Sequence, residues 1–395
     1  MQFSDKLRRA SGVSLLVLSA MLTDVAIAQC QPDPPVTGGT TICDGTDNDG
    51  VVITSENTSV SLSSGARVSS SSSDAILVQR AHGDVYSSTV LLNIDGHVEG
   101  VGHVGVRFDA ASPVYASDYL GVVVGSGGRI DGSTGILLSN GPGNAYASMT
   151  LNVDNSGSIT GTDGYAVRDD TANTAYAYIS LVNRRDGVMG AVSGKLTRLT
   201  NDGLINGGAW SAIDGKIGDG YGPKADLNNN GIIRSDSASA TIANLGAGAV
   251  LVNTGTIANG SGGAAIEGYY YSVDNQTDGI IKGGIIATGA TASLQLTNAG
   301  VIDGNVITQT ASSPYYSTTS SIDSRFGTIN GDLLLGAVMT CCLRHSIWWA
   351  GCIPASAGVS MAAKGMTRLM CSLRPTASSI SASHFPDLNK SASQR

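Results

Sequence analysis

Asn253-Thr-Gly-Thr-Ile257, with Ala258 and Gly260 close behind, is the phrase on which the reading of this chain turns. It returns as Asn155-Ser-Gly-Ser-Ile159, Asn201-Asp-Gly-Leu-Ile205, Asn229-Asn-Gly-Ile-Ile233 and Asn298-Ala-Gly-Val-Ile302. Looser copies stand at Gly96-His-Val98, Gly128-Arg-Ile130, Gly279-Ile-Ile281 and Gly327-Thr-Ile329. The glycines are spaced by about 16 to about 32 residues, mostly inside the window that marks solenoids. Asn and Gly both tolerate a left-handed backbone, so the pair predicts a sharp turn. The apolar residue after the turn opens a short strand with one face inward.

A second apolar cluster follows within each period, as in Gly135-Ile-Leu-Leu138, Gly164-Tyr-Ala-Val167, Ser211-Ala-Ile213 and Ala264-Ala-Ile266. Each period therefore carries two or three short strands and tight corners. No single period can bury its own apolar side, so neighbours must stack. The predicted fold is all-β, a right-handed parallel β-helix over 51–337. A propeller is the rival, but its blades need about 40 or more residues.

The composition suits many short strands joined by turns. Of 395 residues 52 are glycine, and only 14% are charged. Apolar clusters that recur in phase argue against a disordered chain. The net charge is −8, and no basic stripe runs along the repeats, so nucleic acid is not an expected partner.

Residues 1–28 read as a secretory signal, predicted to be helical. Lys6, Arg8 and Arg9 precede a short apolar run from Val13 to Leu22, and Ala26-Ile-Ala28 is a cleavage site. The run is too short for a stable span, so no membrane segment is expected once the signal is removed. Residues 29–50 read as a cap over the first coil. Cys30 and Cys43 are the only cysteines before residue 341, and export would place them where thiols oxidise. A bridge between them would close a short loop and contribute about 3 kcal/mol on the chain-entropy view. Two free thiols, or a lipid on Cys30, are the other readings. Asp44-Gly-Thr-Asp-Asn-Asp-Gly50 resembles part of a calcium loop, but the twelfth position is Ser55 rather than a carboxylate. A solvated acidic turn is expected instead.

A tandem unit of about 30 residues runs through Tyr86, Tyr115, Tyr146 and Tyr176, a length within the solenoid range. Stacked tyrosines are expected to brace neighbouring coils, with an aromatic binding ladder as the sharper alternative. Tyr269-Tyr-Tyr271 and Tyr315-Tyr316 are expected to pack on the coil beneath. Exposed, they would be recognition candidates.

The pattern breaks after Gly331-Asp-Leu-Leu-Leu-Gly-Ala337. Residues 338–395 hold four of the six cysteines, two of the three tryptophans and six Lys or Arg against one Asp. No C-x-x-C pair suggests a metal site among Cys341, Cys342, Cys352 and Cys371. The genetic code offers an explanation. Read from the third base of the Ala337 codon, Val338-Met-Thr-Cys-Cys342 permits Gly-Asp-Asp-Val-Leu, which resumes the interrupted phrase. The tail thus reads as out-of-frame translation, with no structure of its own expected. A stop codon soon after Ala337 in the shifted frame would remove that reading.

The export signal, the Asn-x-Gly-x-Ile coils and the Gly331–Ala337 phrase together resemble an autotransporter passenger domain, pertactin-like or of adhesin type. The resemblance covers about residues 1–337. It implies a surface factor normally followed by an outer-membrane β-barrel, placed at the cell surface in the intact family. A chain without that barrel is expected to stop in the periplasm. It also implies a host-cell surface, a matrix or a glycan as partner.

No cofactor, metal or catalytic residue is expected. His97 and His103 sit beside turns and should face solvent, while His345 and His384 lie in the tail. No Gly-x-Ser-x-Gly elbow is present. Asp169-Asp170 and Arg184-Arg185 are the nearest charge clusters and read as loop charges. A structural or adhesive rod is therefore expected, not an enzyme. The alternative is a glycan-active or proteolytic enzyme on the same scaffold, which would need paired carboxylates about 5–9.5 Å apart across a groove.

Overall fold

The computed structural model describes residues 29–335, apart from 80–86, 111–116, 141–147, 172–175, 216–223, 290–291 and 309–319. Beyond 335 it describes only the strands Met339–Cys341, Ile353–Ala355, Val359–Ala363 and Met370–Leu373. The signal segment, Tyr86, Tyr115, Tyr146, Tyr315, Tyr316, His345, His384 and most of the tail lie outside the described residues.

Every regular element among the described residues is a strand. The strands form three long sheets, and consecutive strands of a sheet come from consecutive turns of the chain. One turn illustrates the rest. Ala249–Asn253 lies in the first sheet, Thr256–Asn259 in the second and Ile266–Gly268 in the third. The chain then re-enters the first sheet at Tyr270–Asn275, parallel to and in register with the strand before. Twelve such rungs make the parallel β-helix that the repeat predicts. At about 4.8 Å per rung the rod is roughly 55 Å long.

The alternation of side chains about each strand sends one set inward. In the second sheet the inward column runs Val98, Ile130, Ile159, Met189, Ile205, Ile233, Ile257, Ile281 and Ile302, each paired with the next. All of them are buried. These are the isoleucines of the repeated phrase, so the repeat is legible as one continuous apolar interior. Similar columns run through the first sheet (Leu199, Leu227, Leu251, Val273, Leu296) and the third (Ile213, Ile242, Ile266, Ile285, Val306).

The corner between the first and second sheets carries the most regular chemistry. Its inward position is Leu62, Ile94 and Val124 in the early rungs, and then becomes asparagine at 155. From there Asn155, Asn183, Asn201, Asn229, Asn253, Asn275 and Asn298 stack directly, all buried. Each Nδ2 donates to the Oδ1 of the next, at 2.8 Å every time. Asn298 ends the series by donating to Ser324 Oγ at 2.9 Å. The same amides also donate to carbonyls of the turn, as from Asn253 to Gly255 O at 3.2 Å. Polar backbone at a tight buried corner is thus satisfied without water.

The glycines of the phrase serve a purpose other than the expected one. Gly157, Gly203, Gly231, Gly255 and Gly300 are not among the residues of positive φ. They are glycine because the turns nest. A Cβ on any of them would come nearer than 3.0 Å to carbonyl oxygens of the rung beneath. The nesting is fixed by bonds such as Thr256 N–H to Gly231 O at 2.9 Å.

Connections between the first and second sheets are always two or four residues, and those between the second and third one to six. The return from third to first runs from one residue (Lys195, between Gly194 and Leu196) to eleven (309–319). Length variation is therefore largest at one corner of the cross-section, the same corner in every rung.

At the N-terminal end Cys30–Gln31 pairs antiparallel to Thr40–Cys43, closing the open edge of the first sheet. Cys30 and Cys43 are joined by a disulfide with S–S 1.98 Å. At the other end the second sheet stops at Thr328–Ile329. Met339–Cys341 is the last parallel strand. Ile353–Ala355, Val359–Ala363 and Met370–Leu373 pair antiparallel. The tail expected to lack structure thus contributes short strands, and the first sheet carries one parallel strand past Ala337.

Candidate functional site

Charged and aromatic side chains collect on the outer faces of the early rungs. On the second sheet Arg67, His97 and Arg129 fall in one register column, and Glu99, Asp131 and Thr160 in the next but one. Arg67 pairs with Glu99, and Arg129 with Asp131. His97 Nε2 lies 2.8 Å from Asp131 Oδ2, so this histidine is tied into the face rather than left to solvent. Thr160 Oγ1 donates to the other oxygen of Asp131 at 2.6 Å. Burial pushes the Asp131 carboxyl up, but hydrogen bonds from Arg129, Thr160 and His97 outweigh it. The group sits below its ordinary value of 3.8.

A depressed folded pKa stabilises the fold above the unfolded value, and that stability is lost as pH falls through the folded one. Asp131→Asn is expected to lower the melting temperature at pH 7, with the gap from the parent closing as the pH is taken below about 4. Thermal melts across that range check it. A gap that widens on acidification would contradict the assignment.

On the third sheet a second cluster spans several rungs. Arg107 pairs with Asp74, and Asp109 beside it has its carboxyl pushed up by burial. Further along, Arg168 Nε donates to Asp170 Oδ1 at 2.8 Å, and its Nη1 lies 3.6 Å from Asp163 Oδ2. Asp163 is fixed in turn by Thr134 Oγ1 at 2.6 Å and by the Tyr165 N–H at 3.0 Å. The Arg168 guanidinium lies over the Tyr165 ring, 5.5 Å from its centroid. Trp210 stacks on the same tyrosine with centroids 5.7 Å apart and planes at 30°. Burial raises the Tyr165 phenol, and Asp214 adds to the shift.

Trp210 reaches Tyr165 across a whole rung. The intervening turn has a single residue, Gly190, between Val188–Met189 and Ala191–Gly194, and leaves the way open. Gly164 completes the seat. Its φ is +94°, and a Cβ there would run into the indole Cδ1 and Nε1. Sequence reasoning passed over Trp210. The available signal was a tryptophan at a six-residue corner one rung after a one-residue corner.

The residues singled out from sequence are not gathered into one site. Asp169 is buried, and its Oδ1 accepts from Thr171 N–H at 2.8 Å and Thr171 Oγ1 at 2.6 Å, so it closes a strand end rather than lying in a loop. Asp170 faces out to Arg168. Arg184 lies on a different corner, held to Asp154 at 2.7 and 2.6 Å, and this bond draws the Asp154 carboxyl down. His103 sits at a turn, its carbonyl accepting from the Ser133 N–H at 2.6 Å.

The acidic turn is exposed at Asp44, Asn48 and Asp49, as expected, but not at Asp47. Asp47 is buried, and its Oδ1 accepts the N–H groups of Asp49 at 3.2 Å and Gly50 at 3.0 Å. Its Oδ2 has no partner, and burial pushes the carboxyl up. Among the described residues no three His, Cys, Asp or Glu side chains converge as a metal site.

Tyr271 is fully buried, with its hydroxyl donating to Ile286 O at 2.8 Å, whereas Tyr270 faces out. Tyr176 pairs with Ser148 of the preceding rung. The crevice between Phe108 and Tyr119 admits no more than about one water and is no substrate cavity.

No family model matches the chain, and no curated protein or solved structure is detectably similar to it.

Proposed function

We propose that the chain is an exported, autotransporter-passenger-like rod with a structural or adhesive task at a cell surface. The observation that carries this reading is the uneven use of corners. One corner is held to two or four residues over twelve rungs and a second ranges from one to six, while the third varies from one residue to eleven. A scaffold that presents variable segments along one edge needs this division, and connecting segments are where recognition is usually placed. The Cys30–Cys43 disulfide is in keeping with an oxidising compartment outside the cytosol. No helix among the described residues is long and apolar enough to cross a membrane. The partner would be a host-cell surface, a matrix or a glycan.

Beads coated with the purified chain should attach to epithelial monolayers or to immobilised matrix more than beads coated with an unrelated β-rich protein. The same preparation incubated with polysaccharide or casein should release neither reducing ends nor peptides. Release without attachment would replace the adhesive reading with the enzymatic one.

A further inference from the structure

Trp210 is 50% exposed, yet its position is closely determined. Gly164 lies beneath the indole, Tyr165 stacks beside it, Arg168 covers Tyr165, and Asp163 and Asp170 hold Arg168. Each member orients the next, so the exposed face needs little ordering on binding. The result is an exposed indole stacked on a tyrosine that also carries a guanidinium and the carboxylates holding it.

That combination suits a sugar ring. The C–H face of a pyranose lies on an aromatic plane, and its equatorial hydroxyls both donate and accept. Carboxylates take the donated hydrogens, and a guanidinium fork supplies the return donors. Among the described residues Asp163, Asp170 and Asp214 outnumber Arg168, and Arg107, which also acts on Asp170, is paired with Asp74, so the surroundings are net acidic and repel anionic sugars. We infer that the Trp210–Tyr165 corner binds neutral saccharides, with the sugar stacked on the indole and its hydroxyls held by the Asp163–Arg168–Asp170 group. The inference rests on the adhesive reading only in taking a surface glycan as the natural source of the ligand.

Saturation-transfer NMR on the full chain tests it, with cellotriose, mannotriose and N,N′-diacetylchitobiose as probes and heparin and choline as charged controls. Transfer to the ring protons of at least one neutral probe is expected, with half-saturation near 1 mM, as befits a single small platform. Trp210→Ala should weaken it by about tenfold or more, and Asp170→Asn by about threefold. Trp210→Phe, which keeps a flat ring, should retain part of the signal and covers the case in which the alanine variant fails to fold.

Absence of transfer to all three neutral probes overturns the inference. So does transfer unchanged in Trp210→Ala, or heparin or choline binding as well as the sugars. Cell attachment of the same variant separates the two readings. If Trp210→Ala beads still attach while no sugar binds, adhesion stands and the saccharide corner falls. If parent beads do not attach, adhesion itself fails.

Discussion

Asn229→Val is expected to destabilise the rod by about 3 kcal/mol, well beyond an ordinary surface substitution. The substitution removes the acceptor for Asn201 Nδ2 and the donor to Asn253 Oδ1, both at 2.8 Å and both inside the core. Each stranded group costs about 1–3 kcal/mol. Valine itself is not foreign to the column, because Val124 occupies the same place four rungs earlier. The penalty comes from the neighbours left behind. Asn155→Val tests this, since it lies directly above Val124 and has no amide beneath it to strand. The Asn183 Oδ1 and the Val188 carbonyl lose a donor there and the Gly157 N–H loses its acceptor, but no side-chain amide is left without its acceptor. A smaller loss than at 229 is expected, measured by urea unfolding of both variants. Equal losses at 155 and 229 would mean that side-chain shape, not amide continuity, governs the column.

Gly255→Ala should be at least as damaging, about 3 kcal/mol or more, or should prevent folding. A methyl carbon there would come nearer than 3.0 Å to the Gly231 carbonyl oxygen and to the backbone of Asn230. Neither can retreat, because the Thr256 N–H is bonded to that same oxygen at 2.9 Å. Two further glycines separate crowding from backbone conformation. Gly65 has φ +85° with nothing within 4 Å of a built Cβ, so alanine there should cost only about 1 kcal/mol of local strain. Gly246 has neither a left-handed φ nor a neighbour within 4 Å. Alanine there should be neutral, or stabilising by a few tenths of a kcal/mol through the unfolded chain. Thermal unfolding of the three variants should rank them 255, 65, 246. A tolerated Gly255→Ala would show that the rungs have slack the nested turns do not suggest.

The fold was legible because one inward isoleucine per turn repeats beside an Asn-Gly corner, and a solenoid has one such position to fill in each rung. The reason for the glycine was not legible. Asn-Gly is an ordinary left-handed turn signal, and only stacking reveals that crowding from the rung below excludes a side chain. Two members of the amide column were also hidden. Asn183 and Asn275 precede their glycines, Gly187 and Gly279, by four residues rather than two, so the phrase is broken in sequence while the side chain lands in the same place. The Trp210 corner was beyond reach for a related reason. Its parts come from different rungs, 45 residues apart between Tyr165 and Trp210, and meet only because Gly190 makes its own turn short. Asp131 and His97 likewise meet by register across neighbouring rungs, which local spacing cannot disclose.

In the amide column, each asparagine from 183 to 275 has an asparagine immediately before it and another immediately after. Excising one whole circuit between two of these residues, or duplicating one, would rejoin like to like. The gene could therefore grow or contract by unequal recombination at these points without any new interface having to be invented. How far the molecule extends is in that sense loosely inherited, while how successive circuits meet is not.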